Sequence, residues 1–359
     1  MSNNVFFSNY TIGNDAFDKI PEICARYGKK AVLVGGKTAL SKVQDTVTAI
    51  LEKNNFTLLD TLWYGGDSTL ENVDLLLANP SVQEADMVFA AGGGRALDTC
   101  KMTAHALGKP FFTLPTIAST CAACTSLGVE YYPDGQFRGV HASAYPANHI
   151  FISPKIIAEA PVEYIWAGLG DTMAKYYESI VSTRLLELDH SDALGITISK
   201  MSAEPLFAYA AEGLADARQG KTSHALEQTI LAIIISTGLV SNLAEHNYNT
   251  GLAHAIYFGL VALGKCKEKH LHGEIVGYGI LPLLLLDKQR DEFERVYHFN
   301  KSVGLPTCLA DMHVTEKEDI DLVIHTAANT PDLDIWPYKV NEEMVRNAVM
   351  ELEEYNKNN

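Results

Sequence analysis

The chain has 359 residues, enough for two domains of ordinary size, each with its own core. Hydrophobic residues make up 47% and charged residues 20%, the balance of a soluble globular protein. A formal net charge of −16 argues against nucleic acid or an anionic membrane as a partner, because both require basic surface.

The N-terminal Met1-Ser-Asn-Asn-Val-Phe-Phe7 has neither a basic start nor a long apolar core, so no secretory signal is read there. A strand is expected at residues 30–36, running into a glycine turn, and a helix over 38–53. A second strand over 56–64 and a second helix over 68–78 follow. The apolar run 87–91 is a third strand; Gly92, Gly93 and Gly94 come next, then a helix-like segment over 95–107. Residues 110–115 form a fourth strand. Strands alternating with helices of this length imply a parallel α/β sheet with crossover connections. Ligands on such sheets collect at the carboxyl ends of strands, where Gly35, the triple glycine, Pro115 and Thr116 fall. A triple glycine at a strand-to-helix turn lets backbone approach a phosphate, which the next helix's N–H groups and dipole favour; a plain tight turn has the same sequence.

A hairpin is expected from 127–132 and 136–140 around the turn triplet Pro133-Asp134-Gly135, and a last strand over 149–152. From about residue 160 the pattern is helical only, which places the domain boundary there: an α/β domain over 1–160 and an all-α domain over 161–359. The most apolar run, 230–240, falls short of the ~20 residues a bilayer requires and reads as a buried helix. Six cysteines are scattered, with only Cys121 and Cys124 close together, which suits reduced thiols in a cytoplasm better than a disulfide framework. Cys121-Ala-Ala-Cys124 could be a redox dithiol; two small residues lining a pocket fit the surrounding sequence better.

In the helical half, Asp171 follows Gly168-Leu-Gly170, His254 lies in an otherwise apolar helix, and His272 lies in His270-Leu-His-Gly-Glu274. One carboxylate and two imidazoles can hold Zn²⁺ or Fe²⁺ with a position left open for catalysis. Each has a plain reading too: Asp171 as an N-cap, His254 as a core residue, His270 or His272 as surface. With 12 histidines in the chain, spacing alone does not select this trio.

Taken in order, Gly92-Gly-Gly-Arg-Ala-Leu-Asp98-Thr-Cys-Lys101, Pro115-Thr-Ile-Ala-Ser-Thr120, Gly168-Leu-Gly-Asp171, His254 and His272-Gly-Glu274 resemble the metal-dependent polyol dehydrogenases. These are the glycerol-dehydrogenase-like branch of the iron-containing alcohol dehydrogenases, and the resemblance covers nearly the whole chain. It implies an N-terminal nucleotide-binding domain with a parallel sheet and an all-α C-terminal domain, a dehydroquinate-synthase-like fold with the active site in the cleft between them. It implies a nicotinamide cofactor, NAD or NADP, and one divalent metal. By motif position, Gly93, Gly94 and Arg95 would meet the pyrophosphate and Asp98 would order that loop. Thr116 and Ser119 would hold the nicotinamide ribose side, and Thr125, Leu127 and Tyr131 would line the cofactor further along. Asp171, His254 and His272 would hold the metal and carry catalysis.

Three departures refine what the resemblance implies. Iron-using members carry a His four residues after the ligand Asp; Lys175 stands there, leaving three protein ligands and favouring zinc over iron. Glycerol-oxidising members carry a substrate-facing Asp where this chain has Cys121. The Cys-Ala-Ala-Cys version resembles the hydroxycarboxylate dehydrogenase subgroup, which reduces 2-oxo acids to 2-hydroxy acids, and removing a carboxylate suits an anionic substrate. NAD-specific members often carry an Asp after the first strand; Gly36-Lys37-Thr38 stands there, so NADPH should be tolerated. The expected function is hydride transfer between NAD(P)(H) and a small hydroxy or oxo compound, leaning to 2-oxo acids. The rivals are a glycerol or 1,2-diol dehydrogenase and a dehydroquinate-synthase-type lyase. A small-molecule substrate, no nucleic acid, no membrane, a cytoplasmic location and a homo-oligomer complete the expectation.

Overall fold

The structure is a computed structural model that describes residues 5–359, the side chain of Glu318 excepted; Met1 to Asn4, the start of the stretch read for a secretory signal, lie outside the described residues. The chain divides into two compact units. One is made of Met1–Val162, described from Val5, and Asp216–Asn242; the other of Glu163–Ala215 and Leu243–Asn359.

The first unit is built on a six-stranded sheet: β1 (Asn9–Ile12), β2 (Lys30–Gly35), β3 (Thr57–Trp63), β4 (Met87–Gly92), β5 (Phe111–Pro115) and β8 (His149–Ile152). Their order is β1-β8-β5-β4-β2-β3, and every pairing is parallel. The inner strands read as near-continuous apolar runs because both faces are covered, as parallel sheets require. The Lys37–Lys53 helix buries Ala39, Leu40, Val43, Val47 and Leu51, one face at three- and four-residue spacing. Phe89 stacks on Phe112 with ring centroids 5.2 Å apart. The register pairs Gly35 with Ala91 and Gly92 with Pro115, so the expected ligand-binding turns stand side by side at the carboxyl edge. The hairpin forms from β6 (Leu127–Tyr131) and β7 (Phe137–Ala142), antiparallel, with Gly135 at φ +80° in the turn.

Two features differ from the sequence reading. β1 has no counterpart there: it is a four-residue polar edge strand, Asn9-Tyr-Thr-Ile12, whose pairing with β8 spans nearly 140 residues. A hydrogen bond between Thr11 Oγ1 and His149 Nε2, 2.8 Å long, helps fix that register. Second, residues 216–242 belong with the α/β unit, whereas the sequence reading assigned all of 161–359 to one helical domain. The reason is local: Ser126 N–H donates to Asn242 Oδ1 at 2.8 Å and Asn242 Nδ2 donates to Cys124 O at 3.0 Å. Thr125 and Ser241 hydroxyls lie 2.9 Å apart, and a Cβ on Gly238 would come within 2.4 Å of Cys124 Cβ.

The apolar run 230–240 is part of a helix longer than the run itself. It sits in one continuous 20-residue helix, His224–Leu243, with a π-helical turn at Ala232–Ser236. Its mean hydropathy is 1.4 over a membrane-length window, so by length and composition it could cross a membrane. In this structure 61% of that window is buried inside the protein, the setting of a core helix.

The second unit is helical, and among the described residues no strand lies beyond Ile152. The helices that matter for the site are Glu163–Ser182, Leu252–Val261 and His272–Leu286.

Candidate functional site

Small residues bring these three helices together. A Cβ on Gly170 would lie 2.0 Å from Gly273 O, and one on Gly273 would lie 2.0 Å from Ala167 O. The Glu163–Ser182 and His272–Leu286 helices therefore meet backbone to backbone, a crossing that only glycine permits. A Cβ on Gly279 would lie 2.5 Å from Ala253 O, which seats the Leu252–Val261 helix against the same partner. Asp171 follows Gly170, His272 precedes Gly273 and His254 follows Ala253, so each side chain rides on a residue at a crossing point.

The result is one compact donor cluster. Asp171 Oδ1 lies 3.6 Å from His254 Nε2 and 3.4 Å from His272 Nε2, and the three donor atoms all fall within 4.8 Å of one another. Ligands at about 2.0–2.2 Å around one tetrahedral ion sit roughly 3.4 Å apart, so this donor set fits a single divalent cation with little adjustment. His254 is buried, Asp171 nearly so, and His272 is the exposed member.

Glu178 completes the arrangement. It lies seven residues after Asp171, two turns along the same helix, and is fully buried. Its Oε2 accepts from His254 Nδ1 at 2.6 Å and its Oε1 from the His254 backbone N–H at 2.9 Å. A carboxylate on Nδ1 turns Nε2 toward Asp171 and fixes the tautomer a metal ligand requires. Burial alone would pull the His254 pKa down; Glu178 and Asp171 outweigh it and raise it to about 10. Burial opposes ionisation of Asp171, but the two imidazoles overcome it and hold the carboxyl well below its usual range.

His272 opens its helix, and Glu274 secures that start by accepting from Leu271 N–H at 3.0 Å. Of the two candidate histidines in this segment, the structure brings His272 to Asp171. His270 turns away, 2.8 Å from Glu274 Oε1 and 3.1 Å from His313 Nδ1. Lys175 projects from the same helix as Asp171, one turn on, and its ammonium donates to Asn249 O at 3.3 Å.

In the first unit, Gly92 has φ +151° and Gly93 and Gly94 lead into the Gly94–Ala106 helix, whose start no side chain caps. A Cβ on Gly93 would come within 2.4 Å of the Ile117 side chain. Arg95 stands at that helix start, but Asp67 Oδ2 pairs with its guanidinium at 3.2 Å and the Tyr131 ring lies beneath it at 5.0 Å. Gly36 precedes another helix start without a side-chain cap. There Lys37 Nζ sits 4.5 Å from the centre of the half-exposed Trp63 ring, a neighbour the sequence reading missed. Thr116 N–H donates to Gly92 O at 3.2 Å, tying that loop to the triple glycine, and Ser119 follows in the same loop.

Asp98 differs from expectation. It is buried and works on the hairpin rather than on the glycine loop: it accepts from Lys101 Nζ at 3.0 Å and from Val129 N–H at 3.2 Å. Lys101 Nζ also donates to Leu127 O. This buried pair therefore anchors β6, which carries Leu127 and Tyr131. Cys121 O accepts from Cys124 N–H at 2.8 Å and Thr125 N–H at 3.0 Å, closing a tight turn. No disulfide joins any of the six cysteines, and burial pushes the Cys124 thiol up to about 12, which disfavours the thiolate a redox dithiol uses.

Comparison with known proteins bears on this geometry. Residues 8–153 match the family model described as iron-containing alcohol dehydrogenase. The chain is 30% identical to glycerol dehydrogenase of Thermotoga maritima over 334 residues, 90% of this chain and 88% of that protein. It is 34% identical to hydroxycarboxylate dehydrogenase A of Escherichia coli K12 over 285 residues, 78% of each. The crystal structure of glycerol dehydrogenase from Schizosaccharomyces pombe superposes with a TM-score of 0.86 at 25% identity, covering 100% of this chain and 92% of that one. An identity of this level over most of both proteins, together with the matching fold, means that the chain belongs to the iron-containing alcohol dehydrogenase family.

Proposed function

We propose that this protein transfers a hydride reversibly between NAD(P)(H) and a small hydroxy or oxo compound, with 2-oxo acids and 2-hydroxy acids as the preferred pair. The observation that carries the reading is the Asp171, His254 and His272 cluster with Glu178 behind it. A divalent cation there supplies Lewis acidity to the oxygen of the reacting carbon. Zinc suits three protein donors of one oxygen and two nitrogens with a position left open. Asp171 offsets the cation's charge, and Glu178 holds His254 with Nε2 forward so that no reorientation accompanies binding.

In the α/β unit, the uncapped helix start at Gly93, Gly94 and Arg95 takes the pyrophosphate. Thr116 and Ser119 serve the nicotinamide ribose side, and Thr125, Leu127 and Tyr131 line the cofactor further along. The Asp98–Lys101 pair holds those hairpin positions in place. At Gly36 and Lys37 no carboxylate is present to repel a 2′-phosphate, and the Lys37 ammonium over Trp63 supplies a cation, which supports NADP(H) alongside NAD(H).

Cys121 supports the 2-oxo acid reading, since an uncharged thiol stands where a carboxylate would repel an anionic substrate. The likeness to hydroxycarboxylate dehydrogenase A favours the same reading. A second reading, glycerol or another 1,2-diol, is favoured by the relatives named glycerol dehydrogenase. Initial rates separate the two: 2-oxobutyrate and 2-oxoglutarate with NADH and NADPH, glycerol and 1,2-propanediol with the oxidised cofactors. The expected result is reduction of a 2-oxo acid well ahead of diol oxidation. In Cys121→Asp the 2-oxo-acid-to-diol ratio should fall about tenfold or more, as like charges brought together cost several kcal/mol when desolvated. Turnover of diols alone would make the second reading correct.

A further inference from the structure

We propose that Lys175 is the substrate-carboxylate anchor of this enzyme; the proposal rests on the 2-oxo acid reading above and names the residue that makes it selective. Asp171 and Lys175 are four apart on the Glu163–Ser182 helix, so their side chains leave the same face with Cβ atoms about 6 Å apart. A cation one turn from a metal ligand is placed for the second functional group of a short bifunctional substrate whose first group is an oxygen at the metal.

The charge around Lys175 is unbalanced. Among the described residues its ammonium makes one hydrogen bond, to the backbone carbonyl of Asn249, although it carries three donors. The two carboxylates nearest along its helix are already committed: Asp171 faces His254 and His272, and both oxygens of Glu178 are taken by His254. Half-buried Lys175 has no ion pair with a carboxylate among the described residues, in a chain with 44 acidic and 28 basic residues. An anionic ligand would supply the missing counter-charge.

The surroundings agree with this placement. Asn249, which receives the ammonium, lies in the His246–Asn249 turn just before the helix that carries His254. Burial first, and then Lys175, lower the His246 pKa in that turn, with Asp332 opposing them. Lys175 and His246 thus stand close enough to interact, in the segment that leads into the helix of His254. A 2-oxo acid offers a carbonyl oxygen and, on the adjacent carbon, a carboxylate; glycerol offers only neutral hydroxyls in the same position. The ammonium therefore distinguishes the two substrate classes by charge rather than by size.

The test is binding of oxamate, an unreactive 2-oxo-acid analogue, and of 1,2-propanediol to the zinc-loaded holoenzyme by calorimetry, in the natural protein, Lys175→Met and Lys175→Arg. The expected result is an oxamate-to-diol affinity ratio about 10- to 100-fold lower in Lys175→Met, the size of a lost charge-assisted hydrogen bond, with most of the ratio retained in Lys175→Arg. An unchanged oxamate affinity in Lys175→Met, with the natural protein binding oxamate, overturns the role of Lys175 and leaves the 2-oxo acid reading standing. Parallel loss of oxamate and diol also overturns it, since that marks a structural lysine. Failure of the natural protein to bind oxamate while it oxidises diols overturns both.

Discussion

Replacing His254 by alanine should strip the protein of its metal and lower turnover roughly a thousandfold or more, because polarisation of the substrate oxygen contributes several kcal/mol and each 1.4 kcal/mol is a factor of ten. The variant should still fold. His254 is buried, so its removal leaves a void, and Glu178 loses the imidazole that it binds at 2.6 Å. It keeps the backbone N–H of residue 254 at 2.9 Å, which alanine also provides. The cost is therefore that of a buried carboxylate left with a single hydrogen bond, on the order of 3–5 kcal/mol, which a chain of this size can bear. Metal content per chain, circular dichroism and initial rates on the same preparation check all three expectations. Full activity in this variant would remove the cluster from the mechanism.

Glu178→Gln should weaken zinc affinity about 10- to 100-fold, the range found when a carboxylate behind a ligating imidazole is lost. The substitution preserves size and leaves an oxygen to accept from the residue 254 N–H, so stability should change little. What it removes is the charge that, with Asp171, raises His254 to about 10 and that orients Nδ1 inward. Competition against a chelator of known affinity measures the loss. Glu178 does not touch substrate, so at saturating zinc most of the turnover should return, which separates a positioning residue from a ligand. Turnover that stays low with zinc saturated would give Glu178 a direct part in the reaction.

The sequence exposed the α/β half more fully than the site. β2, β4 and β5 were legible because strands buried on both faces become apolar runs bounded by glycine or proline. β1 was not, since a four-residue polar edge strand has no local pattern and owes its existence to β8. Residues 216–242 look like any helix of the second half; only their contacts with Cys124, Thr125 and Ser126 assign them to the first unit. Asp171, His254 and His272 are spread over about 100 residues, and composition could not join them; the resemblance did. One physical clue was on the page: two of the three adjoin a glycine, as helices that meet backbone to backbone require. Glu178 was also within reach, at the i+7 position from Asp171 on the same helix face. Arg95 carried a different difficulty, because its pairing with Asp67 depends on a loop 28 residues away.

The most direct test of the metal-centred mechanism is removal and return of the ion. Protein stripped by a strong chelator should be folded and inactive toward both 2-oxo acids and diols, and activity should return linearly to a plateau at one zinc per chain, the stoichiometry of a single Asp171, His254 and His272 site. Undiminished turnover in fully stripped protein, or a plateau reached only at two or more ions per chain, would contradict it.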